Sequence, residues 1–322
     1  MIQRPRRNRR NQSIRDSLQE TQLHKSDFVF PLFITESNSA AKEEISAMPG
    51  QYRWGFDNLD EILEKSFSLG VKSFALFPVI ADAKKDKTGT YSTNSNNVLL
   101  RSIEKIKKLN PEAVLYTDVA LDPYSSDGHD GFVEDGQILN DKTLPLLAEM
   151  SVAQAQAGAD YVAASDMMDG RVGFIRQALD EKGFTDTGIL SYSAKYASSL
   201  YGPFREALDS APRFGDKKTY QMNPANRIEA LREFKLDEQE GADILMIKPA
   251  TYYLDVIREA KNFSHLPIAA YNVSGEYSMI KAAAAKGWID EKRASFESLL
   301  AIKRAGADLI FTYWALDAAQ EF

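Results

Sequence analysis

Apolar runs of five to seven residues recur along the chain, separated by amphipathic stretches. The runs are Phe28–Ile34, Phe74–Ile80, Ala113–Val119, Tyr161–Ser165, Gly188–Ser193, Asp243–Ile247, Pro267–Val273 and Asp308–Tyr313. Runs that are apolar at consecutive positions predict strands buried on both faces, as in a parallel sheet. Between them, Leu59, Ile62, Leu63 and Phe67 follow helical spacing, as do Phe296, Leu299, Leu300 and Ile302. A weak repeat supports the alternation. Gly158-Ala159-Asp160, Gly241-Ala242-Asp243 and Gly306-Ala307-Asp308 each precede a strand run, and Gly70-Val71-Lys72 stands in the same place. Glycine there reads as the stop of a helix. Eight such units in 322 residues predict an α/β protein, a single (β/α)8 TIM barrel over residues 28–322 with an extended N-terminal arm over residues 1–27. An open doubly wound sheet is the alternative, but no glycine-rich dinucleotide fingerprint follows the early strands.

Composition narrows the chemistry. The chain has no cysteine, which excludes disulfides, thiolate zinc sites, iron–sulfur clusters and cysteine nucleophiles. Its three histidines are His24, His129 and His265, so a three-histidine metal site would need all of them. The net charge is −7, so the protein as a whole is no polyanion binder. No apolar run reaches the length of a membrane span. The start, MIQRPRRNRR, lacks the apolar core of a secretory signal. A cytoplasmic protein without nucleic-acid or membrane partners is expected. The five arginines among the first ten residues contrast with the acidic remainder and suggest an arm that docks on a neighbouring copy; a solvated tail is the main alternative, and an organelle transit peptide or a nucleic-acid arm are lesser ones.

Candidate chemistry lies where the strands end, because a barrel of this kind carries its site at the C-terminal ends of its strands. In the stretch Ala242–Ala250 an apolar run is followed by Lys248 and Pro249. Proline cannot donate to a ladder, so the strand should stop there. Lys248 then keeps its stem in apolar surroundings, where desolvation lowers an ammonium's pKa. Such a lysine either snorkels to water or serves as an amine nucleophile that forms a Schiff base with a carbonyl. Lys195 follows the fifth strand, so two lysines face one mouth, and two like charges disfavour ionisation of both. Asp118, Asp166 and Tyr192 stand at other strand ends, with Ser274 and Tyr313 after the last two. Helix capping for the aspartates and a rim position for the tyrosines are the plainer readings. Two connections are long, Leu121–Thr143 and Tyr196–Tyr220, the second holding Gly202-Pro203, Pro212, Gly215, Arg205, Lys217 and Lys218. Loops of this length are usually lids or binding loops, and a basic lid suits carboxylates.

Several longer motifs carry a resemblance. SYSAKYAS with YGPFREA, TYQMNPAN, MIKPA, YNVSGEY, GADLIFTYW, SDMMDGRV and DVALDPYSSDGHDG together resemble the porphobilinogen synthase (5-aminolevulinate dehydratase) family, from about residue 4 to the end. The resemblance implies condensation of two 5-aminolevulinate molecules to porphobilinogen with loss of two waters, in tetrapyrrole synthesis. It implies a barrel whose arm wraps a neighbour, usually in a homo-octamer. It implies a Schiff base at Lys248, with Ser274 and Tyr313 holding that substrate's carboxylate. Lys195 matches the second active-site lysine, Arg205 and Lys217 the clamp for the second carboxylate, with Gln221 nearby. Asp118, Asp166 and Tyr192 match family site residues, in proton transfers. One departure stands out: zinc-dependent relatives carry three cysteines where this chain has Ala120, Asp122 and Asp130. Zinc prefers sulfur and nitrogen, whereas carboxylates suit magnesium or no metal. The chain thus resembles the zinc-independent, aspartate-bearing branch, in which an activating Mg2+ at a subunit interface would sit at Glu233. A class I aldolase-like barrel needs only one active lysine, and a catalytically dead barrel predicts a lost lysine or clamp. Neither matches the pattern.

Overall fold

The computed structural model of the protein describes residues 2–36, 41–208 and 213–322, so Pro212 of the second long loop lies outside the described residues. A 3-10 turn at Pro5–Arg9 and helix α1 (Gln12–Ser17) precede β1 (Phe28–Thr35). A hairpin follows, β2 (Lys42–Glu44) and β3 (Tyr52–Gly55), then α2 (Leu59–Ser68) and β4 (Ser73–Val79). Next come α3 (Val98–Leu109), β5 (Val114–Val119) and a second hairpin, β6 (Val133–Glu134) and β7 (Gln137–Ile138). The chain continues through α4 (Asn140–Ala157), β8 (Tyr161–Ala164), α5 (Arg171–Glu181) and β9 (Gly188–Lys195). Helices α6 (Gly202–Leu208) and α7 (Ile228–Glu240) lead to β10 (Ile244–Lys248). Then follow α8 (Leu254–Phe263), β11 (Ile268–Asn272), α9 (Ser274–Ala285), α10 (Glu291–Ala305), β12 (Leu309–Thr312) and α11 (Ala315–Ala319).

Eight strands close a barrel in the order β1-β4-β5-β8-β9-β10-β11-β12, with β12 pairing back to β1. Every one of these pairings is parallel. Each of the eight apolar runs is one barrel strand, because each is buried along most or all of its length, as the absence of alternation requires. The two hairpins were not expected. Their strands are short and lack the consecutive apolar run that marks a buried strand.

The Gly-Ala-Asp repeat has two structural tasks. Gly158, Gly241 and Gly306 end their helices at φ of 107°, 101° and 125°, where a Cβ is strained. The aspartate that follows each then reaches sideways. Asp160, Asp243 and Asp308 each accept a backbone N–H near the start of the preceding barrel strand, from Leu115, Ile189 and Ile268, at 2.7, 2.7 and 2.8 Å. These carboxylates satisfy donors at the bottom rim that have no ladder partner.

The N-terminal segment packs differently from the barrel. Neither the Pro5–Arg9 turn nor α1 contains a buried residue. Contact with the body begins at Leu23, which is buried, and at Asp27, paired with Lys303 at 3.0 Å.

At the opposite end of the molecule, α9 starts hard against the turn Ser199–Tyr201. A Cβ on Gly275 would lie 2.5 Å from the carbonyl oxygen of Leu200 and 2.7 Å from its Cα. Backbone cannot retreat cheaply, so Gly275→Ala should cost about 1–3 kcal/mol, seen as a lower denaturation midpoint. An unchanged midpoint would mean that this approach is not tight.

Candidate active site

Pairing between β9 and β10 sets the centre of the site. Leu245 pairs with Ser191, but Ile247 pairs with Ala194, so β9 carries one extra residue in this interval. That bulge places Lys195, in place of Ala194, in register with Lys248. Adjacent strands lie about 4.8 Å apart, so the two lysines start side by side. Both are buried. β9 runs past the expected end at Ser193 and includes Lys195, because β10 offers backbone partners that far.

The two ammonium groups live differently. Lys195 Nζ lies 3.1 Å from Asp130 and also donates to the Ser165 carbonyl. The Lys248 ammonium makes no hydrogen bond or salt bridge among the described residues. Its Nζ is ringed instead by Tyr271, Phe204, Tyr192 and Tyr201, at 4.5, 4.9, 5.1 and 5.3 Å from the ring centres. Aromatic faces favour the cation. Burial and the neighbouring Lys195 outweigh them, and the Lys248 amine is brought down to about 7.

Acidic groups complete the centre. Burial, and then Asp122, push Asp118 up to about 7. Burial also pushes Asp166 up to about 6, against the pull of Arg171. One Asp166 oxygen accepts the Met168 N–H at 2.7 Å; the other has no hydrogen-bond partner, with Arg171 Nε 3.7 Å away. The local bond is what a capping aspartate would make, but the second oxygen and the charge environment go beyond a cap. Arg171 is buried and also reaches Asp237 and Ser191, at 3.1 and 2.8 Å. Asp130 is the opposite case. Burial raises it, yet Lys195 and Lys217 hold it down at about 2.

The lid cations are not free. Lys217 is buried, pairs with Asp122 at 3.1 Å and contacts Asp130 more closely still. Arg205 lies on α6, half-buried, and lines a cavity of about 30 Å³ together with Lys195, Lys217, Gln221 and Lys248. Gln221 is buried beside it with its side-chain carbonyl unpartnered.

Ser274 and Tyr313 lie on the Lys248 side but are engaged elsewhere. Ser274 Oγ accepts the Phe204 N–H at 3.0 Å and donates to the Leu200 carbonyl at 3.3 Å. Tyr313 Oη is 3.2 Å from Tyr271 Oη, one ring away from the lysine. Tyr192, fully buried, keeps its proton because burial and Asp118 push its pKa well up. Glu233 is not brought to the lysines. It sits on α7 at the edge of a second cavity of about 880 Å³ that also reaches Asp169 and the outer side of the lid. Burial and then Asp237 raise its carboxyl to about 7.

Sequence reasoning missed Arg171, Asp237 and the ring of Tyr201, Phe204 and Tyr271. The rings had a signal in the YGPF spacing, which puts two aromatics three residues apart at the start of α6. Arg171 had none, since nothing local marks an arginine for burial.

An amine near 7 is mostly protonated and inert below that pH and mostly free above it. Trapping of a small keto compound on Lys248 by borohydride should therefore rise through a midpoint near 7. Lys195→Gln removes a repelling charge and should move that midpoint upward. A wild-type midpoint in the ordinary lysine range, or a downward move in the variant, would refute this electrostatic account.

Comparison with known proteins agrees with this geometry. The profile of the family described as Delta-aminolevulinic acid dehydratase matches residues 2–321. The chloroplastic delta-aminolevulinic acid dehydratase of Physcomitrium patens is 58% identical, over 99% of this chain and 74% of that protein. The delta-aminolevulinic acid dehydratase of Chlamydia pneumoniae is 51% identical, over 98% of this chain and 95% of that protein. Among solved structures, the Toxoplasma gondii ME49 porphobilinogen synthase, a complex with its reaction product porphobilinogen, superposes with a TM-score of 0.97. It is 48% identical, with 100% of this chain and 92% of that chain covered.

Proposed function

The chain belongs to the delta-aminolevulinic acid dehydratase family, and on that premise we propose how its residues perform the reaction. The protein is an enzyme that condenses two 5-aminolevulinate molecules to porphobilinogen, with loss of two waters, in tetrapyrrole synthesis. The observation that carries the mechanism is the in-register pair Lys195 and Lys248 at one barrel mouth.

The Lys248 amine attacks the ketone of one 5-aminolevulinate, and the carbonyl oxygen leaves as water, giving an imine. Protonated, that imine draws electrons and acidifies the adjacent carbon. Lys195 takes the second substrate. Its tie to Asp130 must loosen first, because an ammonium is no nucleophile. Arg205 and Lys217, with Gln221, hold the second carboxylate, and Ser274 and Tyr313 hold the first. An incoming carboxylate displaces Asp122 and Asp130 from Lys217 and releases Ser274 and Tyr313 from their present partners. Asp118 and Asp166, at about 7 and 6, can each give or take a proton near neutrality, beside Tyr192. Holding two copies of one small acid in different orientations is chiefly positioning.

Magnesium is part of the proposal. Glu233 fits a hard cation: its carboxyl is raised by burial and then by the acidic Asp237, with Asp169 and Glu229 also acting on it. Bound there, Mg2+ would neutralise this acidic patch away from the lysines. Zinc has no thiolate to bind, and Asp122 and Asp130 already serve the lysines. The arm, with five arginines and no buried residue in its turn or helix, would dock on the acidic body of a neighbour in a homo-octamer. A cytoplasmic location belongs to the same proposal; no helix among the described residues is long and apolar enough to cross a membrane.

Incubation with 5-aminolevulinate should yield a pyrrole, and borohydride with substrate should label Lys248 on peptide mapping. A label confined to Lys195 would overturn the assignment. Losing one side of a charge-assisted contact costs about 1.5–3 kcal/mol, so Arg205→Ala should raise the requirement for the second substrate roughly tenfold to over a hundredfold.

Assembly has its own test. Deleting residues 1–12 should shrink the particle in solution and lower activity. Magnesium should shift the intact protein toward the larger form, by mass action, and Glu233→Ala should blunt that shift. A truncated protein with full mass and activity would reduce the arm to a tail.

A further inference from the structure

His129 is almost fully buried, at 1% exposure, and no step above uses it. It sits in the loop after β5, between Asp122 and the β6–β7 hairpin, beside Asp130. Both ring nitrogens reach the lid. Nε2 lies 3.0 Å from the Phe214 carbonyl oxygen, and Nδ1 lies 3.1 Å from Tyr220 Oη. The ring also packs on Phe214, with centres 4.8 Å apart. Tyr220 Oη in turn accepts the Asp130 N–H at 3.3 Å.

A carbonyl can only accept, so Nε2 carries a proton toward Phe214. The Tyr220 hydroxyl completes the link, meeting Nδ1 on one side and taking the Asp130 N–H on the other. The two contacts bracket residues 214–220, and Lys217 lies between them, plugged into Asp122 and Asp130. Gln221 follows directly.

We infer that His129 is the latch of the active-site lid, a positioning residue whose imidazole fastens residues 214–220 to the β5 loop and so sets Lys217 and Gln221 over the lysine pair. Apart from the backbone bond from the Arg213 N–H to the Asp127 carbonyl at 3.0 Å, the loop and the lid otherwise meet in this region mainly through ion pairs that a substrate carboxylate itself would disrupt. The latch does not depend on those charges. It lets Lys217 exchange Asp130 for substrate while the lid backbone stays in place.

The inference rests on the proposed reaction for its kinetic consequence, but not for its structural one. Arg213 and Lys218 are exposed and flank the latched segment, so limited tryptic cleavage after them reports lid opening without any catalysis. Loss of two buried hydrogen bonds should speed that cleavage about tenfold or more in His129→Ala. The same variant should need roughly tenfold more of the second substrate, while borohydride labelling of Lys248 stays as in the parent. His129→Gln, which can still donate to the Phe214 carbonyl, should recover part of both effects. Tyr220→Phe should mimic His129→Ala, and the double variant should be no worse than either single one. Unchanged cleavage in both single variants, or fully additive effects in the double, would overturn the latch. If His129→Ala fails to fold, Tyr220→Phe and His129→Gln decide the question alone. If the protein makes no pyrrole from 5-aminolevulinate, the proposed reaction fails, and the cleavage rates still judge the latch.

Discussion

Two ammonium groups cannot share a buried pocket unless something distinguishes them. In this barrel the β9 bulge forces the confrontation, since it sets Lys195 opposite Lys248 on the neighbouring strand. The resolution is asymmetric. Lys195 has Asp130 and a backbone carbonyl as partners. Among the described residues the Lys248 head group has no hydrogen-bond or ion-pair partner and is ringed by aromatic faces, and its amine falls to about 7. Burial, the largest cause of the shift, would act on either lysine; the difference lies in who faces whom.

The same constraint organises the acids. Asp130 serves two lysines at once and stays ionised in a buried setting because of them. Asp118 and Asp166 have no such undivided partner and are pushed up toward neutrality. Carboxylates within one small region therefore fall into two kinds, structural anions and groups able to exchange a proton. Their environments, not their residue type, assign the roles. The lid belongs to this balance. Lys217 brings the positive charge that Asp122 and Asp130 require.

Beyond the centre, the molecule uses carboxylates for construction. The aspartates of the Gly-Ala-Asp repeat each bond a backbone N–H near the start of the adjacent strand at the bottom rim. Glu276, buried at the start of α9, accepts the N–H groups of Val273, Ala250 and Thr251. That single side chain joins the turn after Lys248 to the helix that begins with Ser274. An acidic composition thus reflects, in part, how this barrel ties its strand ends together.

The eight strands, their order of burial and the barrel were legible in the sequence, because a strand covered on both faces must be apolar at consecutive positions and the glycine stops repeat. The placing of Lys248 at a strand end was legible for the same local reason, Pro249 being unable to extend the ladder. The short hairpins β2–β3 and β6–β7 were not, since their strands carry no apolar run. Nor could sequence show that Lys217 is buried, that Asp130 bridges two lysines, that four rings surround Lys248, or that Arg171 and His129 are interior. Local pattern reports what a residue needs from solvent and from its immediate neighbours. Pairing of charges, the register across the β9 bulge and the fastening of a lid are relations between segments as far as 95 residues apart in the chain. Only closure of the barrel brought those segments together, and only then did burial and charge set the two lysines apart.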